Sequence, residues 1–161
     1  QVSIIPRGIS GGVTVYLPED DKKHVFKDEL LANIRSAVGG RASEEVFIGR
    51  ISTGASSDIE EATSVAREMI TQYGMSDKLG MVKYGDVEET KHLGYVYGGG
   101  RDFSEKYAEI IDSEVKEIID TAYKDAKKIL SDKKEYVEKL VELLVKNEVV
   151  SKEEFDALFT Q

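Results

Sequence analysis

Asp58 has the strongest claim to chemistry in this sequence, because a carboxylate stands there at the edge of a stripe that should be buried. From Ile59 onward the apolar residues fall at Ala62, Val65, Ala66, Met69, Ile70 and Tyr73, steps of three and four that mark one face of a helix. Ser57 and Glu60 stand in the S-x-x-E relation of a capping box, which predicts a helix beginning at Asp58. Two roles are open to a carboxylate in that first turn. It can complement the positive end of the helix dipole, worth about 0.3 to 1 kcal/mol, or it can ligate a cation. Glu44 and Glu45 are a second acidic feature, but adjacent residues point about 100° apart on a helix and cannot form a catalytic pair on one face. An ion pair between Glu44 and Arg41 or Arg67 is the plain structural reading. The only histidines are His24 and His92, HExxH occurs nowhere, and the absence of cysteine removes any thiolate site or disulfide framework.

Several elements must hold these residues. Val2 to Ile5 and Val13 to Tyr16 are short β-branched runs with a Pro- and Gly-rich connection, which predicts two strands, the second stopped by Pro18. Leu30, Leu31, Ile34, Ala37 and Val38 mark an amphipathic helix starting near Lys27 or Asp28. Gly39 and Gly40 could end it, yet Ala42, Val46 and Phe47 continue the spacing. Residues 74–80 form a turn with glycine at each end, and residues 81–84 read as a short extended piece. Residues 85–103 hold five glycines and no period, the pattern of a mobile loop. Gly98 to Gly100 in that loop is not followed by Gly-Lys-Ser/Thr and makes no phosphate loop. Beyond it, Ser104 is a candidate N-cap, and Ala108, Ile111, Val115, Ile118, Ala122 and Ile129 make a helical seam. After a break at Ser131 and Asp132, a second arm carries Val137, Leu140, Val141 and Leu144, so a two-helix hairpin is expected. Ser151 and Glu154 form another capping box for a short last helix. Tyr107, Tyr123 and Tyr136 read as core or seam residues.

The 161 residues suit one domain, and 33% charged residues with 40% apolar ones is an ordinary globular mix. A net charge of -9 argues against nucleic acid and against direct contact with an anionic membrane surface. No run approaches the roughly 18 apolar residues of a spanning helix, and the first residues do not read as a secretory leader.

Residues 52–58, Ser-Thr-Gly-Ala-Ser-Ser-Asp, followed by Ala62-Thr63 and Ala66-Arg67, resemble the signature of the FtsH-type ATP-dependent zinc metalloproteases. So do residues 39–45, Gly-Gly-Arg-Ala-Ser-Glu-Glu, residues 2–8, Val-Ser-Ile-Ile-Pro-Arg-Gly, and the 74–80 turn. The resemblance extends from about Val2 to Phe159. It implies a mainly α fold, a helical metalloprotease domain with a small N-terminal β element and a C-terminal helical hairpin. Within it, residues 1–18 would be strands at the rim of the cleft, 19–84 the helical core, 85–103 a flexible loop and 104–161 the C-terminal helices. It favours one continuous helix over 28–47, at a cost of about 1 kcal/mol per glycine, with the paired glycines admitting another backbone.

The resemblance also implies site roles. Asp58 matches the third protein ligand of a catalytic zinc. Glu44 matches a glutamate near that metal, which could hold a metal-bound histidine by its other ring N–H. Val13, Thr14 and Val15 would form an edge strand that receives an extended protein or peptide substrate. The two histidine ligands and the general base are missing, so this chain alone is expected to be inactive and to hold no catalytic zinc. Either it is a piece of a longer polypeptide or the motif has been lost. ATP would be bound by a separate upstream module, and the complete enzyme would be a membrane-anchored homo-hexamer with this domain in the cytoplasm or an organelle matrix or stroma, the fragment itself being soluble. The competing expectation is a non-catalytic helical assembly or interaction domain.

Overall fold

Small buried residues and long apolar stripes give this chain a mainly helical architecture. The structure is a computed structural model that describes residues 1–6, 8, 11–15, 24–85 and 103–159. The sequence-predicted loop over 85–103, apart from its two ends, His92 and the strand stop at Pro18 lie outside the described residues. The chain divides into two compact units, Gln1–Lys23 with Ile129–Gln161, and His24–Lys128.

The first unit is built on a three-stranded sheet, β1 (Val2–Ser3), β2 (Val13–Thr14) and β3 (Val149–Val150), in the order β2-β1-β3. Both pairings are antiparallel, with Val2 opposite Thr14 and Val150, and Ser3 opposite Val13 and Val149. Val150 is fully buried, and Ser3 is buried with its hydroxyl accepting from the Ile5 N–H at 3.2 Å. Gly12 precedes β2 for a steric reason, since a Cβ there would lie 2.6 Å from the Ser3 carbonyl oxygen. The two N-terminal strands fall where expected, although each is only two residues long. β3 was not expected, because two β-branched residues are too few to show a period. The same unit holds α5 (Lys134–Asn147) and α6 (Lys152–Ala157). The capping box at α6 forms as expected, with Ser151 Oγ accepting from the Glu154 N–H and the Glu154 carboxylate accepting from the Ser151 N–H. Tyr136 stacks on Phe159 at 4.8 Å between ring centres.

The second unit contains α1 (Lys27–Ala37), α2 (Gly39–Ser43), a π-helical turn (Glu44–Ile48) and α3 (Ser56–Thr71). Most of α4 (Glu105–Asp132) also belongs to it. The chain keeps right-handed helical angles through Val38, whose N–H donates to the Ile34 carbonyl, and Ala42 in turn donates to Val38. The continuous helix therefore carries across the paired glycines, with an irregularity at Val38 and a π turn at its end. Its last bond runs from the Gly49 N–H to the Glu44 carbonyl, five residues back, and Gly49 closes the turn at φ 69°, a left-handed angle that favours glycine.

α1 packs against α3, and these elements bury Ile34, Val38, Ala42, Ala62, Ala66, Met69 and Ile70. Two residues of the expected α3 stripe are exposed, Ile59 and Tyr73, while Thr71 is buried with its hydroxyl donating to the Arg67 carbonyl. The residues 74–80 turn is present and is tied by a bridge between Ser76 and Gly80. Residues 81–84 form no strand, but Tyr84 is buried and its ring meets Phe103 and Tyr107 at 5.9 and 5.5 Å. α4 starts directly after Ser104 and runs unbroken through Asp132, so the break falls at Lys133 rather than at Ser131. Along it Ala126 is buried, whereas Ile129 is exposed.

Candidate metal-ligand site

The entry to α3 decides where Asp58 stands. The helix starts two residues earlier than its sequence predicts, at Ser56 after Ala55, and the Ser57–Glu60 capping box does not form. The reason lies in the preceding turn. Ser52 Oγ accepts from the Gly54 N–H at 3.1 Å, a serine turn two residues long. Ser56 N–H then donates to the Thr53 carbonyl and Ile59 N–H to the Ala55 carbonyl, so the helical ladder has already begun. Asp58 becomes the third residue of the first turn.

There its carboxylate is half-buried, and among the described residues it has no hydrogen bond or ion pair. It lies beside α2: a Cβ on Gly40 would sit 3.6 Å from Asp58 Oδ2. Among the described residues no second backbone approaches the paired glycines: a Cβ on Gly39 would meet nothing within 4 Å, and what stands next to Gly40 is the Asp58 carboxylate.

The π turn sends the two glutamates to different partners. Glu44 accepts from both the N–H (3.1 Å) and the hydroxyl of Ser52, and Arg41 approaches it to 3.7 Å. Arg67, the other candidate partner, pairs instead with Asp112 at 3.0 Å. Glu45 receives Lys127 and the Tyr123 hydroxyl from α4. The Ser52 hydroxyl, then the Ser52 N–H, hold the Glu44 carboxyl below the usual carboxylate range. Lys127 and then Tyr123 do the same for Glu45. A depressed pKa means that the folded state binds the proton less well than the unfolded chain. The Glu44–Ser52 contact is thus fully present above the ordinary glutamate value, about 4.3, and is lost as pH falls through the lowered one. A pH titration of the Ser52 amide resonance is expected to stay flat down to the ordinary glutamate range and to move only below it. A midpoint at or above that value would contradict the contact.

Asp58 thus lies beside Gly40, and Glu44 is held by Ser52, all within one unit. Val13, Thr14 and Val15 belong to the other unit, where β2 is an edge strand of the described sheet. Val15 exchanges both backbone hydrogen bonds with Gln1, which directs the backbone groups of Thr14 away from β1. His24 is exposed. Among the described residues no group of three or more His, Cys, Asp or Glu could hold a metal ion. A zinc site takes three or four protein ligands, so Asp58 fits as one ligand and the described residues do not fit as a set. A cleft of about 370 Å³ lined by Leu31, Arg35, Met75, Lys78, Ile118 and Asp125 among others does not include Asp58, and its charges are largely paired, Arg35 with Asp125 and Lys78 with Glu117.

Sequence reasoning assigned no role to Ser52, although a serine two residues before glycine is the signal of such a turn. It also assigned none to Tyr123 as the partner of Glu45.

Comparison with known proteins covers nearly the whole chain. The profile of Peptidase family M41 matches residues 1–158. The chain is 42% identical over 159 residues to the ATP-dependent zinc metalloprotease FtsH of Veillonella parvula, covering 99% of this chain and 25% of that protein. It is 44% identical over 158 residues to the protein of the same name from Caldicellulosiruptor bescii, covering 98% and 26%. For that of Pseudothermotoga lettingae the figures are 45% over 155 residues, 96% and 25%. The chain spans about a quarter of the length of the curated relatives it matches.

Proposed function

Because the chain belongs to Peptidase family M41, we propose that it is part of an ATP-dependent zinc metalloendopeptidase that degrades unfolded or membrane proteins, and that it supplies the aspartate ligand of the metal. The observation that supports this most is the state of Asp58: a half-buried carboxylate, unpartnered among the described residues, on a helix packed beside Gly40. The names of the relatives supply the metal and the reaction class. Two histidine ligands and a general base lie outside these 161 residues in this reading, so no hydrolytic step is assigned to the residues described. Glu44 is carried forward as a residue next to the metal that could hold a histidine ligand.

Substrate protein would add as an extended strand at β2, where Thr14 offers its N–H and C=O, while Val13 pairs with Ser3 of β1 and Val15 with Gln1. ATP binding, membrane anchorage and a homo-hexameric ring belong to the complete polypeptide. No helix among the described residues is long and apolar enough to cross a membrane.

Zinc titration tests the division of labour. The 161-residue chain alone is expected to show no tight one-to-one zinc site and no zinc-dependent cleavage of denatured casein. The complete polypeptide is expected to show both. One tightly bound zinc on the isolated chain would overturn the reading, and so would a complete polypeptide that binds none, the outcome for a purely assembling domain.

A further inference from the structure

We propose that Met81 is a reversible oxidation site: its thioether takes an oxygen atom from a hydroperoxide ahead of the other two methionines, and the sulfoxide is reduced back without the fold opening. This inference does not depend on the role of Asp58. The chain holds three methionines and no cysteine, so no thiolate within it competes for the oxidant. The three stand six residues apart, at 69, 75 and 81, and the fold shields each to a different degree. Met69 lies in the buried face of α3 and is 1% exposed. Met75 is half-buried in the wall of the cleft that Leu31, Ile70 and Ile118 also line. Met81 is 94% exposed.

That exposure does not come from a frayed end, because the backbone is anchored on both sides of Met81. Before it, Leu79 is buried with its N–H donating to Ser76 Oγ at 2.9 Å, and the Gly80 N–H donates to the Ser76 carbonyl at 3.0 Å. After it, Tyr84 is buried, its N–H donating to the Thr71 carbonyl at 2.8 Å and its hydroxyl to the Leu79 carbonyl at 3.2 Å. Met81 itself passes close over Gly74, where a Cβ would meet its Cα at 3.2 Å. In the reaction a sulfur lone pair takes one peroxide oxygen and the O–O bond breaks. The thioether is oxidised by two electrons to a sulfoxide, and the hydroperoxide is reduced to water or an alcohol. The new oxygen is a hydrogen-bond acceptor that meets water at Met81, so no apolar contact is lost. The same oxygen on Met75 would face Leu31 and Ile70, and on Met69 it would enter the core, where an unsatisfied polar group is costly. Reversal consumes two thiols, which become a disulfide as the sulfoxide oxygen leaves in water, with one reductase for each sulfoxide epimer.

The test exposes the complete polypeptide to limiting hydrogen peroxide, quenches it with catalase and follows the tryptic peptides by mass spectrometry. Met81 falls in peptide 79–83, and the other two methionines fall in 68–78, where fragmentation separates them. Peptide 79–83 is expected to gain one oxygen about tenfold or more faster than either Met75 or Met69, a preference that disappears in guanidinium chloride. Protein oxidised at Met81 should melt with the parent, as should Met81→Leu. The two methionine sulfoxide reductases with dithiothreitol should return peptide 79–83 to its starting mass while the protein stays folded. The proposal is overturned if Met75 reacts as fast as Met81, if Met81 is shielded in the complete polypeptide, or if the preference persists in the unfolded chain. It is also overturned if oxidation lowers Tm in the parent but not in M81L, or if the reductases act only after unfolding.

Discussion

Replacing Asp58 by alanine in the complete polypeptide is expected to cut zinc affinity by well over the roughly hundredfold seen when a supporting residue is lost, and to abolish proteolysis, while leaving the fold intact. The two roles of Asp58 differ in size, and that difference decides the experiment. As a complement to the helix dipole the carboxylate contributes about 0.3 to 1 kcal/mol. Alanine returns roughly 0.5 kcal/mol through its higher helix propensity, so D58A should melt close to the parent. As a metal ligand, its removal takes one of three protein donors from a site that has no spare. Asp58→Asn separates charge from shape, since asparagine fills the same space beside Gly40 but brings no negative charge to a cation. A D58A protein that is destabilised yet keeps its metal would confine Asp58 to the helix terminus. Elemental analysis of the purified proteins, set against their thermal melts, reads both effects.

Ile34→Ala is expected to have the largest effect on stability. Ile34 is 1% exposed and lies on α1, the helix that packs against α3. Truncating a buried isoleucine removes its transfer free energy and leaves a cavity that close-packed neighbours fill only in part, a loss of about 2 to 5 kcal/mol. For a chain of this size that lowers Tm by roughly 5 to 15 °C. Because α1 runs through α2 into the π turn, the loss should also loosen the frame that holds Glu44. Met81→Ala is the control. Met81 is 94% exposed and its truncation should change stability by less than about 0.5 kcal/mol. Chemical denaturation of both variants checks the contrast, and a mild I34A would mean that the α1–α3 packing is not the core of this unit.

Much of this architecture was legible in residue spacing. Ala62, Ala66, Met69 and Ile70 recur at helical steps because one face of α3 must leave water, and they are the residues it buries. Ser151 and Glu154 announced the α6 cap because a capping box is a purely local arrangement. What stayed hidden depended on competition or on distance. Two local signals compete at the entry to α3, the Ser57–Glu60 box and the Ser52–Gly54 turn, and the turn wins because Glu44, eight residues upstream, holds it. A π turn differs from an α turn by one residue in its hydrogen-bond partner, and no composition encodes that. β3 pairs with β1 across almost the whole chain, and two valines carry no trace of the pairing. The ligand role proposed for Asp58 rests on resemblance, since spacing alone leaves a first-turn carboxylate with an ordinary electrostatic use. The structure adds that it has no partner among the described residues.

A crystal structure of the zinc-loaded complete polypeptide, with anomalous scattering collected at the zinc edge, tests the central claim most directly. The account predicts one zinc per chain with an Asp58 carboxylate oxygen about 2.0 to 2.2 Å from it, and Ser52 still bonded to Glu44. A fully coordinated zinc elsewhere, with Asp58 turned to solvent, would contradict it.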